Sequence, residues 1–256
     1  MIPPLAETIR ARGFSAMVEL VASGRREAEV LETASDLAMV PEIIAGSIAS
    51  YGSGKVGDDP IRGAATVRAR GLTPNVHLTC VNRDRARTQR DLHILKALEL
   101  HNVFALTGEP PATGAGSIDS VELTALIAAM RAADNVPFHI SVAVSPFEYE
   151  GEDLQREYAR LQQKIANGAD LVITQAASDA RQFGALKRYM DEHSLTTPVL
   201  GNVHVPDTDG DDPAALGRAG QLVAALKDLG YAGVYISGTH DADHIRQILD
   251  HAKTVN

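Results

Sequence analysis

Residues 164–175 read KIANGADLVITQ, and this stretch contains both halves of the repeat that decides the fold. Asn167 and Gly168 follow a segment with helical periodicity, and a glycine just after the last turn is a common helix C-terminal signal. Residues 170–175 then form an almost continuous apolar and β-branched run. Such a run is typical of a strand that is covered on both faces, as in a parallel sheet.

The same alternation of strand, Gly/Pro/Asn/Asp-rich turn and amphipathic helix recurs along the chain. We predict eight strands, at residues 16–22, 43–50, 75–81, 102–107, 138–144, 170–175, 198–205 and 233–238. We predict helices at residues 27–39, 85–100, 117–133, 152–167, 179–193, 213–229 and 241–252. Eight strands in alternation with helices in 256 residues indicate a single-domain (β/α)8 TIM barrel over residues 1–256. A doubly wound open sheet is the alternative, but it usually has a Gly-rich turn after its first strand, which is absent here.

The composition narrows the class of protein. The net charge is −9, and the 24 Lys and Arg residues are scattered, so the chain has no electrostatic reason to bind nucleic acid or an anionic membrane. A single cysteine excludes an intramolecular disulfide framework and a Cys-based zinc site, and no other metal site is predicted. The sequence has no run of roughly 18 apolar residues and no apolar leader at its N-terminus. We therefore expect a cytoplasmic protein without a membrane or nucleic-acid partner.

The sharpest candidate residue is Glu19, in the apolar segment AMVELVA at residues 16–22. In a (β/α)8 barrel the chemistry lies at the carboxyl ends of the strands. Burial of an unpaired carboxylate is costly or raises its pKa, and a raised pKa suits a general acid near neutral pH. The alternatives are that Glu19 points outward or pairs with a buried Arg or Lys.

Other strand ends also carry polar side chains. Gln175 ends an apolar strand, where its amide can bind the edge of a heterocycle or serve as a satisfied core amide. Glu109 follows a Thr-Gly turn, where the backbone can approach a ligand closely, or else it caps the next helix. His77 and Thr79 alternate along one strand and so point the same way, although His77 could equally be a structural histidine. Cys80 points to the other side, and we interpret it as a small buried hydrophobic residue.

Four segments, together with Glu19, resemble the methylenetetrahydrofolate reductases. The segments are HLTC at 77–80, VFALTGEPP at 103–111, ISVAVSP at 140–146 and KIANGADLVITQ at 164–175. They follow the order of that family at close to its spacing. Glu19, in Val-Glu-Leu, matches the glutamate of the family's first strand. The resemblance extends from about residue 14 to residue 206 and, more weakly, to the last strand.

The resemblance implies a (β/α)8 barrel that reduces the methylene group of methylenetetrahydrofolate to a methyl group. NAD(P)H supplies the electrons in that family, usually through FAD. Glu19 would protonate the folate amine and open the five-membered ring to an iminium. Substrate contacts are implied for Gln175, Glu109 and Thr107. Cofactor contacts are implied for His77, Thr79, Ser145, Arg160 and Lys164.

The departures from the family pattern concern the flavin. Leu-Arg-Gly-Asp becomes LTGE at 106–109, Tyr-Pro-Glu becomes SPF at 145–147, and the phenylalanines after Ile-Thr-Gln become AAS at 176–178. Several FAD contacts are therefore absent, and hydride could pass directly from a nicotinamide to the iminium carbon. The sequence does not decide between direct hydride transfer and transfer through FAD, or between NADH and NADPH as the donor. Two other functions also stay open: a non-redox folate-dependent methyltransferase and a non-catalytic folate-binding subunit.

Overall fold

The computed structural model describes residues 5–255 except 22–26, 50, 53–54, 57–58, 82, 109–117, 149–152 and 207–211. Eight parallel strands close into a barrel in the order β1-β10-β9-β8-β7-β6-β5-β2. These strands are β1 (Ser15–Val21), β2 (Ile43–Ala49), β5 (Pro74–Thr79), β6 (Asn102–Leu106), β7 (His139–Val144), β8 (Leu171–Ala176), β9 (Val199–His204) and β10 (Gly233–Ser237). All eight predicted strands are present, and the open-sheet alternative is wrong.

The helices surround the barrel. They are α1 (Leu5–Arg12), α2 (Glu27–Ala38), α3 (Pro60–Ala69), α4 (Arg85–Ala97), α5 (Ser120–Asp134), α6 (Leu154–Ala166), α7 (Ala180–Glu192), α8 (Pro213–Asp228) and α9 (Ala242–Thr254). A short antiparallel pair, β3 (Tyr51–Gly52) and β4 (Lys55–Val56), follows β2. All seven predicted helices are confirmed, so the chain forms the expected (β/α)8 barrel.

The sequence analysis missed two helices, α1 and α3. Helix α1 is short, and it is held by tertiary packing, because Leu5 and Ile9 are buried in the cluster that fills the barrel interior. Helix α3 has a local signal of the same kind as the predicted start of α8. Asp59 caps its N-terminus and Pro60 occupies its first turn, as Asp212 and Pro213 do in α8.

The apolar core has two parts, because successive side chains of each strand point alternately to the barrel interior and to the surrounding helices. Outward-facing side chains such as Val18, Val142 and Ile236 pack against the helices. Inward-facing side chains such as Met17 and Leu200 fill the barrel. Because neighbouring residues on a strand face opposite sides, Glu19 lies on the inner face with Met17.

Helices α3 to α9 all begin with an aspartate cap whose carboxylate accepts hydrogen bonds from backbone N–H groups of the first turn. The caps are Asp59, Asp84, Asp119, Asp153, Asp179, Asp212 and Asp241. The Asp119 cap sets the start of α5 at Ser120, against residue 117 in the prediction, and Ser117 lies outside the described residues. These helices follow the carboxyl ends of the strands, so the caps surround the mouth of the barrel.

Within the described ranges, none of the helices combines the length and the apolarity needed to cross a membrane.

Candidate active site

Glu19 lies in the carboxyl-terminal half of β1, and its side chain is half-buried. The hydroxyl group of Tyr235, on β10, donates a hydrogen bond of 3.2 Å to Glu19 Oε1. Burial raises the pKa of the Glu19 carboxyl, and the hydrogen bond from Tyr235 opposes part of that rise. Its partner is thus a neutral phenol rather than the buried Arg or Lys that we had considered.

A chain of polar side chains continues from Tyr235 into the barrel. The Tyr235 hydroxyl lies 3.4 Å from His77 Nε2, which lies 2.9 Å from the Ser47 hydroxyl oxygen. Asn75 Nδ2 donates to Ser47 at 3.2 Å. Burial lowers the pKa of His77 to about 3, so this ring is neutral at physiological pH. Tyr235 and His77 are both neutral, so this series of hydrogen bonds adds no positive charge that would lower the pKa of Glu19.

His77 does not lie open to the mouth of the barrel. Its ring is buried and packs edge-to-face against Phe104 on β6, with ring centroids 4.9 Å apart. It therefore contacts the acid through Tyr235 instead of facing solvent. Sequence reasoning placed His77 at the site but assigned it to the cofactor, and it did not single out Tyr235, Ser47 or Asn75. The available signal was alternation, since Tyr235 and Ser237 share one face of β10.

The three residues assigned to the substrate differ in what the structure shows of them. Gln175, on β8, is exposed at the mouth, where its amide is open to a ligand. Thr107 follows β6 and is exposed, and its hydroxyl donates to the Ser120 hydroxyl at 2.9 Å. Glu109 lies outside the described residues. The structure thus brings Glu19 and Gln175 to the carboxyl-terminal half of the same barrel.

The other residues assigned to the cofactor are engaged inside the protein. Thr79 accepts a hydrogen bond from Arg83 Nη1 at 2.8 Å, and the Ser145 hydroxyl donates to the Phe147 carbonyl at 2.5 Å. Arg160 pairs with Asp119 at 2.9 Å. Buried Lys164 donates to the Ala143 carbonyl at 2.8 Å, and desolvation lowers its pKa.

The contacts of the five residues assigned to the cofactor decide whether these residues could hold a flavin. Two cations would bind the flavin phosphates, but Arg160 is ion-paired with Asp119 and Lys164 is buried behind β7. His77, which would contact the flavin ring, is enclosed by Phe104 and Ser47. As placed, the five residues do not form a cradle for FAD.

A second polar group stands at the ends of β8, β9 and β10. Thr174 accepts a hydrogen bond from the Asn202 backbone at 2.9 Å, and the Ser237 hydroxyl donates to Asn202 Oδ1 at 2.9 Å. His204 Nδ1 lies 3.0 Å from the same hydroxyl, while the His204 side chain is exposed. Polar residues at the ends of β9 and β10 were visible in the sequence, but their connection was not.

Cys80 is buried among outward-facing core residues, and burial raises the pKa of its thiol to about 12. The interpretation of Cys80 as a small hydrophobic residue is therefore confirmed, and the thiol is not a nucleophile near neutral pH.

Together these features place three polar groups in the carboxyl-terminal half of the barrel. A carboxylic acid with a raised pKa lies on β1, an open amide on β8 and an exposed imidazole on β9. A closed parallel barrel with such groups at the carboxyl ends of its strands belongs to the class of (β/α)8-barrel enzymes.

The comparison with family models narrows the class to one family. The family described as methylenetetrahydrofolate reductase matches residues 50–206, which is more than half of the chain. The chain belongs to the methylenetetrahydrofolate reductase family. Gln175 lies within the matched range, whereas Glu19 and Tyr235 lie on either side of it.

Curated relatives agree with this assignment at low identity. A Caenorhabditis elegans protein named probable methylenetetrahydrofolate reductase (NADPH) is 27% identical over 135 residues, covering 52% of this chain and 20% of that protein. Methylenetetrahydrofolate reductase (NADH) 1 of Zea mays is 29% identical over 143 residues, covering 50% of this chain and 24% of that protein. The matched segment thus spans a fifth to a quarter of the length of these relatives.

A solved structure shares the fold over nearly the whole chain. It is described as an uncharacterized protein from Clostridium thermocellum that binds two copies of 5-methyl-5,6,7,8-tetrahydrofolic acid. It superposes with a TM-score of 0.64 over 98% of both chains, at 11% sequence identity. At this identity the similarity establishes the barrel architecture alone.

Proposed function

We propose that the protein reduces 5,10-methylenetetrahydrofolate to 5-methyltetrahydrofolate, with NAD(P)H as the hydride donor. The observation that carries the proposal is the Glu19 carboxyl, whose pKa burial raises and which Tyr235 holds in place inside the barrel. Membership of the family supports the substrate class. The single cysteine, Cys80, is buried and free, which is consistent with a protein that functions in a reducing compartment such as the cytoplasm.

The reaction needs one proton and one hydride. Protonated Glu19 gives its proton to the folate amine nitrogen, and the bond between that nitrogen and the methylene carbon breaks. The remaining nitrogen then carries the methylene group as an iminium cation. Hydride from the reduced nicotinamide adds to the methylene carbon, which becomes a methyl group while NAD(P)⁺ leaves. Solvent returns a proton to the Glu19 carboxylate.

The other residues of the site position the pterin. Gln175 presents both amide donors and the amide oxygen at the mouth, and these complement the donor and acceptor edge of a pterin. We assign the same role to Thr107, which follows β6, and to Glu109. The internal contacts of the five residues assigned to the cofactor support a reaction without flavin, and we propose that hydride passes directly between the two bound ligands.

An assay on the purified protein tests this function. With methylenetetrahydrofolate present, the protein should oxidise NADH or NADPH without added flavin, and added FAD should not raise the rate. The purified protein should show no flavin absorption band. A folate-dependent turnover without nicotinamide oxidation would indicate a methyltransferase instead, and stoichiometric FAD in the preparation would contradict direct hydride transfer.

The contact between Tyr235 and Glu19 predicts a change in the pH dependence of turnover. The phenol hydrogen bond stabilises the Glu19 carboxylate, so Tyr235→Phe should raise the pKa of Glu19 further. A general acid must be protonated, and turnover is lost as the pH rises through its pKa. The basic limb of the pH–rate profile should therefore move to higher pH in this variant.

Tyr231→Phe is the matched control, because it removes another buried hydroxyl, one that donates to the Phe183 carbonyl at 2.9 Å. It should lower the free energy of unfolding by about 1 kcal/mol and leave the pH–rate profile in place. A profile that moves equally in both variants would show that Tyr235 does not act on Glu19.

A further inference from the structure

A cavity of about 450 Å³ opens beside the barrel mouth, between the ends of β8 and β9 and the first half of α8. Its walls are apolar and include Ala176, Ala177, Val203 and Leu222. Two charged or ionisable side chains also line it, namely His204 and Arg218. A cavity of this size with an apolar lining and a few polar groups is typical of a small-molecule site.

The hydrogen bonds behind His204 select the tautomer of its ring. The Ser237 hydroxyl has a single proton, and it donates that proton to Asn202 Oδ1. Its oxygen can therefore only accept from His204 Nδ1, 3.0 Å away. In the neutral ring the proton then resides on Nδ1, so Nε2 is a hydrogen-bond acceptor. Because the His204 side chain is exposed, this acceptor is open to an N–H donor of a ligand.

Arg218 supplies the cavity with a cation. Among the residues that the structure describes, its acidic contact is Asp212, at 3.8 Å, which is too long for a hydrogen bond. The Asp212 carboxylate also accepts from the Ala214 backbone N–H as the cap of α8. The Arg218 side chain is largely exposed, at 65%, so its donors can reach an anionic group at the edge of the cavity.

We propose that this cavity binds the nicotinamide nucleotide half of NAD(P)H, with the carboxamide N–H donated to His204 Nε2 and the adjacent phosphate facing Arg218. The inference rests on the proposed function, because direct hydride transfer requires both ligands to be bound at once. Gln175, assigned to the pterin, directly precedes Ala176 of the cavity wall. Both subsites therefore lie at the carboxyl end of β8.

The cavity also accounts for the small residues that follow Gln175. Ala176 and Ala177 carry no side-chain atom beyond Cβ, and both are only partly buried. A phenyl group at position 177 would occupy space that the proposed nucleotide needs. Filling the cavity is thus a direct way to separate nucleotide binding from folate binding.

The test measures the affinities of NADH and of 5-methyltetrahydrofolate separately, by calorimetric titration of the full chain. Ala177→Phe should weaken NADH binding at least about tenfold and leave 5-methyltetrahydrofolate binding within about twofold. Ala132→Phe, on the exposed side of α5, adds the same group far from the cavity and should change neither affinity. Melting temperatures of both variants verify that they are folded.

His204 is tested in the same way, together with the ring tautomer. His204→Ala should weaken NADH binding, and His204→Gln, which keeps an acceptor oxygen, should restore part of it. The ¹⁵N spectrum of wild-type His204 should show an unprotonated Nε2, and Ser237→Ala should allow the other tautomer.

The outcomes separate this inference from the proposed function. Wild-type turnover with unchanged NADH affinity in Ala177→Phe would overturn the cavity assignment and leave the reductase function standing. Weaker folate binding with unchanged NADH binding would assign the cavity to the benzoylglutamate part of the folate and also overturn it. A wild-type protein that binds no NADH would refute both.

Discussion

Glu19→Gln is expected to reduce turnover by about 10²–10⁴-fold, the usual contribution of a positioned general acid. The amide has nearly the same shape and can still accept the hydrogen bond from Tyr235, but it has no proton to transfer. The affinity for 5-methyltetrahydrofolate should change far less. The loss should appear equally in kcat and kcat/KM, because the proton transfer is an interaction of the transition state.

The stability of this variant provides an independent test. Burial raises the pKa of Glu19 above its ordinary value of 4.5, so the folded state holds that proton more tightly than the unfolded state. Between the unfolded and folded pKa values the wild type therefore loses stability as the pH rises. The glutamine has no such loss, and Glu19→Gln should be at least as stable as the wild type at neutral pH.

A purely structural role for Glu19 would give the opposite pair of results. If the carboxylate only held Tyr235 in place, a neutral amide would weaken that hydrogen bond and lower the free energy of unfolding, while the rate per folded molecule would hardly change. Single-turnover rate and melting temperature, measured on one preparation, distinguish the two roles. Unaltered turnover would remove Glu19 from the mechanism and with it the main support for the reductase proposal.

Gly233→Ala is expected to destabilise the barrel by about 3 kcal/mol, the upper end of the usual cost of overpacking. Gly233 opens β10, where it pairs with Ser15 of β1 and Leu200 of β9. A Cβ atom there would lie 2.0 Å from the Ser15 carbonyl oxygen and 3.0 Å from Leu200 Cδ2. The clash is with backbone, so β1 and β10 must separate at the seam where the last strand closes the barrel on the first.

At this chain length, a loss of that size lowers the melting temperature by about 6–12 °C. Gly217→Ala is the matched control, because its Cβ atom would meet only His251, at an ordinary 3.8 Å. Gly217 lies within α8, where alanine should stabilise the helix by about 0.5–1 kcal/mol. Equal melting temperatures for the two variants would show that β10 does not pack against β1 as described.

The local pattern of the sequence was sufficient to predict most of the fold. Strands covered on both faces are apolar throughout, and helices carry a 3.6-residue period, so eight strands and seven helices could be located without any long-range information. Glu19 could be found in the same way, because a carboxylate within an apolar strand violates that pattern. Helix α1 could not be predicted in this way. Its few apolar residues stabilise the helix by packing into the interior of the barrel, which only the complete chain forms.

The candidate site was predictable in position but not in its connections. The carboxyl ends of the strands follow from the barrel topology, and Glu19, Gln175 and His77 do lie in the carboxyl-terminal halves of their strands. What each side chain does there depends on partners far away in the chain. Tyr235 is 216 residues from Glu19, and only barrel closure brings its hydroxyl to 3.2 Å from the acid.

The sequence by itself thus determined the architecture, the position of Glu19 within an apolar strand and the family resemblance, because these depend on residue type and spacing along the chain. The tertiary structure decided the neutral state of His77, the burial of Lys164 behind β7 and the cavity beside His204. Desolvation and hydrogen bonding depend on which atoms surround a group in three dimensions. Two polar side chains at the ends of apolar strands can therefore differ in their surroundings, since Gln175 is exposed and His77 is enclosed beside Tyr235.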